Sequence, residues 1–185
     1  TYKTFQPRLL SEPINIVDDH VTILLADAMK YLGELNAYSQ LVPDIDYFIR
    51  MHIAKEATTS SKIEGTNTNL IDVIQDGDQQ QNLNEEQRDD LEEVQNYIRA
   101  VNFAVEKLNT LPLATRLICE THEILLSGVR GFTRAPGQIR KTQNWIGGST
   151  INDAVFIPPA PDTVQYLLSD LEKFWHDNSS NTPAL

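Results

Sequence analysis

The chain has 185 residues, 41% of them hydrophobic and 22% charged, with a formal net charge of −11. That length supports one good core or two small ones, and the composition is that of a folded globular protein, not a disordered one. The acidic balance with no Lys/Arg-rich patch argues against a nucleic-acid partner, and the single Cys119 excludes an internal disulfide and a Cys-based zinc cluster.

Residues 1–16 carry Pro7 and Pro13 without a clear period and read as an extended arm. Asp18 or Asp19 can cap a helix whose apolar stripe is Val21, Leu24, Leu25, Ala28, Leu32 and Leu35. Pro43 then ends a connection and Asp44 caps a second helix, with Ile45, Phe48, Ile49, Ile53 and Ala57 at helical spacing. Continued by threes and fours, that stripe meets Ser60 and Glu64, so a carboxylate is expected on the buried face in the last turn, with Gly65 as the residue that stops the helix. Such a carboxylate opposes the helix dipole and, once desolvated, needs a cation or hydrogen-bond donors. Two readings stay open on this segment alone: a frayed helix end with a solvated Glu64, or a Glu64 aimed at an arginine or a nucleotide site.

Leu70, Ile71, Val73 and Ile74 make a short apolar helix, and residues 75–84, almost wholly Gln, Asp, Asn and Gly, read as a surface loop. The acids of 85–90 suit the first turns of a helix carried by Leu91, Val94, Ile98, Val101, Val105 and Leu108. Leu111-Pro112 breaks it. The next helix, 115–126, is apolar on much of its circumference, which predicts a central position, with Cys119 as a buried thiol. Residues 138–146 and 154–157 read as two short strands joined by the turn 147–153. A lone hairpin must lean on helices, and its free edge is either protected or used for strand addition by a partner. After Pro158-Pro159-Ala160-Pro161, Asp162 with Gln165 resembles a capping box for a last helix with the stripe Val164, Leu167, Leu168, Leu171 and Phe174. The expected fold class is therefore all-α with one β-hairpin.

His20 and His176 sit near helix ends and are expected to be solvated, His52 flanks an apolar stripe, and His122 lies in the presumed central helix. No pair has metal-ligand spacing, no nucleophile elbow is present, and the glycines of 128–137 match neither a phosphate loop nor a dinucleotide fingerprint. No apolar run is long enough to cross a membrane and no signal-peptide pattern opens the chain, which makes the cytoplasm the expected location.

Ser60-x-x-x-Glu64-Gly65 resembles the inhibitory-helix motif, Ser/Thr-x-x-x-Glu-Gly/Asn, of the Fic (Fic/Doc) family of protein adenylyltransferases. Five later segments, in their order, are similar to the first half of a Fic core: His122 to Leu126, Gly128 to Gly131, Pro136 to Arg140, Asn144 to Gly148, and Phe156 to Pro159. The stretch from Leu24 to Leu35 looks like the family's N-terminal domain. The resemblance implies a Fic-like helical bundle, with residues 1–109 as the N-terminal domain carrying the inhibitory helix and 110–185 as the first part of the core. It also implies an ATP- and Mg²⁺-using enzyme that transfers AMP to a protein hydroxyl.

The family's catalytic loop, His-x-Phe-x-Asp/Glu-Gly-Asn-Gly/Lys-Arg, is absent from these residues and would be expected past Leu185. No catalytic residue and no metal ligand is therefore assigned, and the chain by itself is expected to be inactive. The resemblance carries over a regulatory role. Glu64 looks like the inhibitory glutamate that pairs with an arginine near the γ-phosphate site, Ser60 looks like the motif's hydroxyl, and Gly65 closes the motif. Gln143, Asn144, Trp145, Ile146 and Gly147 lie in a segment that looks like the flap, which aligns a target segment. Expected partners are ATP and a protein target; homodimerisation is left open. The alternative is a non-catalytic module that holds an inhibitory helix against a separate Fic-type partner.

Overall fold

The computed structural model describes residues 2–12, 18–63, 65–74, 83–129 and 135–177. The described residues form six helices: α1 (Asp19–Ser39), α2 (Ile45–Ile63), α3 (Leu70–Ile74), α4 (Glu85–Lys107), α5 (Thr115–Leu125) and α6 (Pro161–His176). Each falls where the apolar periodicity places it, and the helical expectation stands. The chain divides into two compact units, one of residues 14–98 and 181–185, the other of residues 1–13 and 99–180.

In the unit built on residues 14–98, the helix starts follow from local chemistry. The Asp18 carboxylate accepts the N–H of His20 at 2.8 Å, and Asp44 accepts that of Tyr47 at 2.8 Å, each satisfying a donor that the first turn leaves free. Asn84 and Gln87 cap α4 reciprocally: Asn84 Oδ1 accepts the Gln87 N–H at 2.8 Å, and Gln87 Oε1 accepts the Asn84 N–H at 3.0 Å. The polar run that precedes α4 hides this box in the sequence. The core of this unit is small: Ala54, Ala57 and Thr58 from α2, Leu91, Val94 and Asn96 from α4.

The stripe expected to be buried on α2 is corrected by this arrangement. Ile45, Phe48 and Ile49 are exposed, Ile53 is half-buried, and of that stripe Ala57 alone is fully covered. The packed part of α2 is its C-terminal half, because α3 folds back against it directly after the turn at Gly65. There small residues allow close approach, while Phe48 stacks on His52 of its own helix at 4.1 Å. α1 also presents large apolar side chains to solvent, among them Ile23, Leu35 and Tyr38.

In the unit of residues 1–13 and 99–180, α5 packs against α6. Ala114 has no side chain with which to cap α5; the Glu172 carboxylate of α6 accepts the Thr115 N–H instead. That contact, with the Thr115 hydroxyl first and its N–H second, holds Glu172 below the usual carboxylate range. The capping box expected from Asp162 and Gln165 is not the device that starts α6. Ala160 occupies the cap position without a side-chain bond and Pro161 opens the helix, where its missing N–H costs nothing. α5 is less central than its composition predicts: Leu117 is buried, Ile118 is 40% exposed, and Cys119 is half-buried rather than sealed.

The described part of the amino-terminal arm, residues 2–12, forms neither helix nor strand, turns at Leu9–Glu12, and is tied down; the rest of the expected arm lies outside the described residues. Phe5 donates its N–H to the Ile157 carbonyl at 2.8 Å, the Phe5 and Phe156 rings lie 5.6 Å apart, and Leu10 donates its N–H to Asp170 Oδ2 at 2.6 Å. Asp170 is buried, and the Ser11 hydroxyl, followed by the backbone N–H groups of Leu10 and Ser11, holds its carboxyl below the ordinary value.

The two strands expected at 138–146 and 154–157 do not form as strands among the described residues. The segments meet at one antiparallel bridge, Ile146 with Phe156. Ile146 donates to the Phe156 carbonyl at 2.8 Å, while its own carbonyl accepts from both Val155 (2.9 Å) and Phe156 (3.1 Å). Two residues thus face one, the signature of a β-bulge, which interrupts the ladder. Pro158 and Pro159 lack the N–H groups that would extend pairing in the other direction.

The connecting loop is closed by Asp153, which accepts the N–H of Ser149 at 2.9 Å, the N–H of Thr150 at 2.7 Å and the Thr150 hydroxyl. These donors, the Thr150 hydroxyl first, lower the Asp153 pKa from 3.8 to about 2. Because the folded value is the lower one, the loop draws stability from the anion above roughly pH 4 and loses it as pH falls toward 2. A carboxyl ¹³C titration should place the Asp153 midpoint near 2. A midpoint at the ordinary value would mean that the loop does not hold the anion.

Candidate functional site

The Ser60–Gly65 segment ends α2 as its sequence requires. Gly65 has φ of 101°, a left-handed conformation that glycine enters without strain. Its N–H donates to the Lys62 carbonyl at 3.1 Å, and the Thr66 N–H donates to the Ser61 carbonyl at 3.1 Å. Those two bonds are the pair that defines a Schellman stop. Ser60 is half-buried, and its hydroxyl donates to Glu56 Oε1, 2.9 Å away and one turn earlier. Glu64, the centre of the functional expectation, lies outside the described residues.

Directly after the stop, the chain turns inward. Thr66 and Thr68 are 4% and 5% exposed, and the Asn67 N–H donates to Asp90 Oδ2 on α4 at 2.8 Å. Asp90 itself is 3% exposed. In the sequence it belongs to an acidic run that reads as solvated, and nothing singles it out by type. The available signal is its helical phase, one residue before Leu91 and four before Val94, both buried.

The second group of expected residues surrounds the Ile146–Phe156 bridge. Gln143 is half-buried, and its Nε2 donates to the carbonyls of Asn144 at 3.0 Å and Pro158 at 3.1 Å, linking the two segments where Pro158 offers no N–H. Trp145 is 40% and Ile146 64% exposed; Asn144 and Gly147 are exposed as well. Gly147 takes φ of 71° as the loop begins. Nearby, Arg140 donates to the carbonyls of Thr142 (3.1 Å) and Pro159, fixing the base of this projection, a role its sequence position does not reveal. His122 is a satisfied side chain: its Nδ1 accepts the Gly137 N–H at 2.9 Å. Among the described residues no cluster of three His, Cys, Asp or Glu side chains could hold a metal ion, and no helix is long and apolar enough to cross a membrane.

Residues 22–106 match the family model described as Fic/DOC family N-terminal. That match runs from α1 through nearly all of α4 and includes the Ser60–Gly65 motif; over this segment the chain is similar to the Fic/DOC N-terminal region. No curated protein matched the chain.

Proposed function

We propose that this chain is the regulatory and target-docking part of a self-inhibited protein adenylyltransferase, in which AMP passes from ATP to a protein hydroxyl. The observation that carries this reading is the coincidence of the Fic/DOC N-terminal match with a Ser-x-x-x-Glu-Gly segment that ends its helix in a glycine stop. Glu64 supplies a carboxylate at a helix end, where the dipole disfavours it and an arginine would compensate it. We assign that arginine to the nucleotide site of the catalytic part, so that Glu64 and the ATP γ-phosphate compete for one cation.

The exposed Trp145–Ile146 segment is the target-docking element in this reading. Main-chain groups beside an isolated bridge are open to an added extended strand, and exposed apolar side chains next to them give it something to pack on. ATP and Mg²⁺ belong to the complete enzyme, and the described residues offer no ligand set through which a step at the metal can be written. The cytoplasm is the compartment proposed for the reaction.

Labelling with ATP carrying ³²P at the α-phosphate tests this. The full-length gene product with Glu64→Gly should label protein strongly and wild type weakly; no label from either would overturn the proposal. Residues 1–185 alone should label nothing in the presence of ATP, Mg²⁺ and cell extract, because they contain no general base in the family's loop pattern. Robust labelling that depends on this fragment would overturn the division of roles.

A further inference from the structure

The single Ile146–Phe156 bridge is too little sheet to stand alone, so other contacts must hold the projection that carries Trp145 and Ile146. Its base is tied from within: Gln143 Nε2 donates to the Pro158 carbonyl at 3.1 Å, and Arg140 donates to the Pro159 carbonyl. The amino-terminal arm reaches it from outside, and both belong to the unit of residues 1–13 and 99–180. Phe156 spends its N–H and its carbonyl on Ile146; the next carbonyl, that of Ile157, accepts the Phe5 N–H at 2.8 Å. Successive residues of an extended segment turn these groups to opposite sides, so the arm joins on the side away from Ile146. The Phe5 ring lies 5.6 Å from that of Phe156, within the range of aromatic pairing. Further along the arm, Leu10 and Ser11 both donate to Asp170, which is buried on α6. Ordering an arm costs backbone entropy, and a buried carboxylate that accepts donors from two consecutive residues offsets it.

We propose that the arm is a clamp and that Phe5 is a positioning residue for target docking: anchored at Asp170, the arm pins Phe156 and Ile157 and so fixes Ile146, against which an extended protein segment packs. This rests on the docking reading of Trp145–Ile146 given above. Phe5 acts through Phe156 and not on the nucleotide or the reacting groups. Because the arm takes the Ile157 side, it leaves the Trp145 main chain open for an added strand; among the described residues the Trp145 N–H and carbonyl have no hydrogen-bond partner. An arm that instead competed with the target for one edge would act with the opposite sign, since its loss would improve docking.

Phe5→Ala in the full-length gene product tests this in two measurements. Hydrogen exchange at the Ile146 amide, which donates to the Phe156 carbonyl, should lose protection roughly three- to tenfold, the factor carried by one aromatic pair. Labelling of cell-extract protein with ATP carrying ³²P at the α-phosphate should then need roughly three- to tenfold more extract for its half-maximal rate, while the ATP concentration for half-maximal rate stays the same. Phe5→Tyr, which keeps the ring, should restore both values. Ser11→Ala removes a donor to Asp170 at the other anchor and should shift them in the same direction as Phe5→Ala, but by less. A merely structural Phe5 would lower the maximal rate and the melting temperature together, without separating extract from ATP. If folded Phe5→Ala keeps the Ile146 protection, or loses it with no change in the extract requirement, the clamp is overturned and the docking reading survives. A lower extract requirement would make the arm a competitor of the target and would overturn it too. If wild type labels no protein at all, the docking reading falls and the clamp with it.

Discussion

Glu64→Gly in the full-length gene product is expected to raise adenylyl transfer at least about tenfold, the effect of removing about 1.4 kcal/mol of competition for one cation. The cause is electrostatic. In the proposed self-inhibition, a carboxylate next in sequence to Ile63 gains nothing from the α2 macrodipole, so the arginine proposed to pair with it would have to offset both that disadvantage and the desolvation of the pair. On that proposal, removing the carboxylate would leave the arginine free for phosphate. An acid with a purely structural partner would behave in the opposite way, since breaking a buried pair lowers stability and activity together. Ser60→Ala should act in the same direction as Glu64→Gly but by less than about twofold: its hydroxyl is committed to Glu56, on the surface of its own helix, where a hydrogen bond contributes little. Auto-labelling and target labelling, with melting temperatures alongside, separate these cases. A folded Glu64→Gly protein no more active than wild type returns Glu64 to the role of a solvated helix end.

Gly148→Ala is expected to open the loop that carries the proposed docking segment. Gly148 has φ of 74°, and a Cβ built there would collide with the Asp153 carbonyl oxygen and lie 2.7 Å from its carbon. The left-handed conformation costs a non-glycine residue about 1–2 kcal/mol, and a contact with backbone cannot be relieved by turning a side chain. Together these should exceed about 2 kcal/mol, or roughly a thirtyfold loss of closed loop. The neighbouring Gly147 is a milder case in its contacts, because its Cβ would meet the Val155 side chain at 2.6 Å. Hydrogen exchange at the Ile146 and Phe156 amides reads the outcome: both should lose protection in Gly148→Ala while the helical circular-dichroism signal holds. Unchanged protection would show that Asp153 does not close the loop through this contact.

Those two amides are the reporters for the same reason that the sequence pattern promises more sheet than forms. Alternation between 138 and 157 carries the signature of strands, but alternation says only that a segment can be extended. Whether it pairs depends on a partner with free N–H groups in register. Here the bulge at Val155–Phe156 and the prolines at 158 and 159 limit the ladder to one residue pair. The arm supplies a further backbone bond from Phe5 to Ile157, across more than 150 positions of sequence that no local pattern can relate.

The sequence by itself determined the six helices, the cap at Asp44, the glycine stop at Gly65 and the resemblance of residues 22–106 to a Fic/DOC N-terminal region, and it narrowed the first cap to Asp18 or Asp19. Each of these rests on chemistry within a few residues: a side-chain oxygen reaching a first-turn N–H, a 3.6-residue period, a left-handed glycine. Only the tertiary structure decided which face of α2 is covered, Ala54, Ala57 and Thr58 rather than Ile45, Phe48 and Ile49, because burial follows from where α3 comes to rest and not from hydrophobicity alone. It also decided that Asp90, indistinguishable in the sequence from the acids around it, is buried on the Asn67 N–H. A charge run has no period to announce which member turns inward; that is fixed by the distant backbone group it meets.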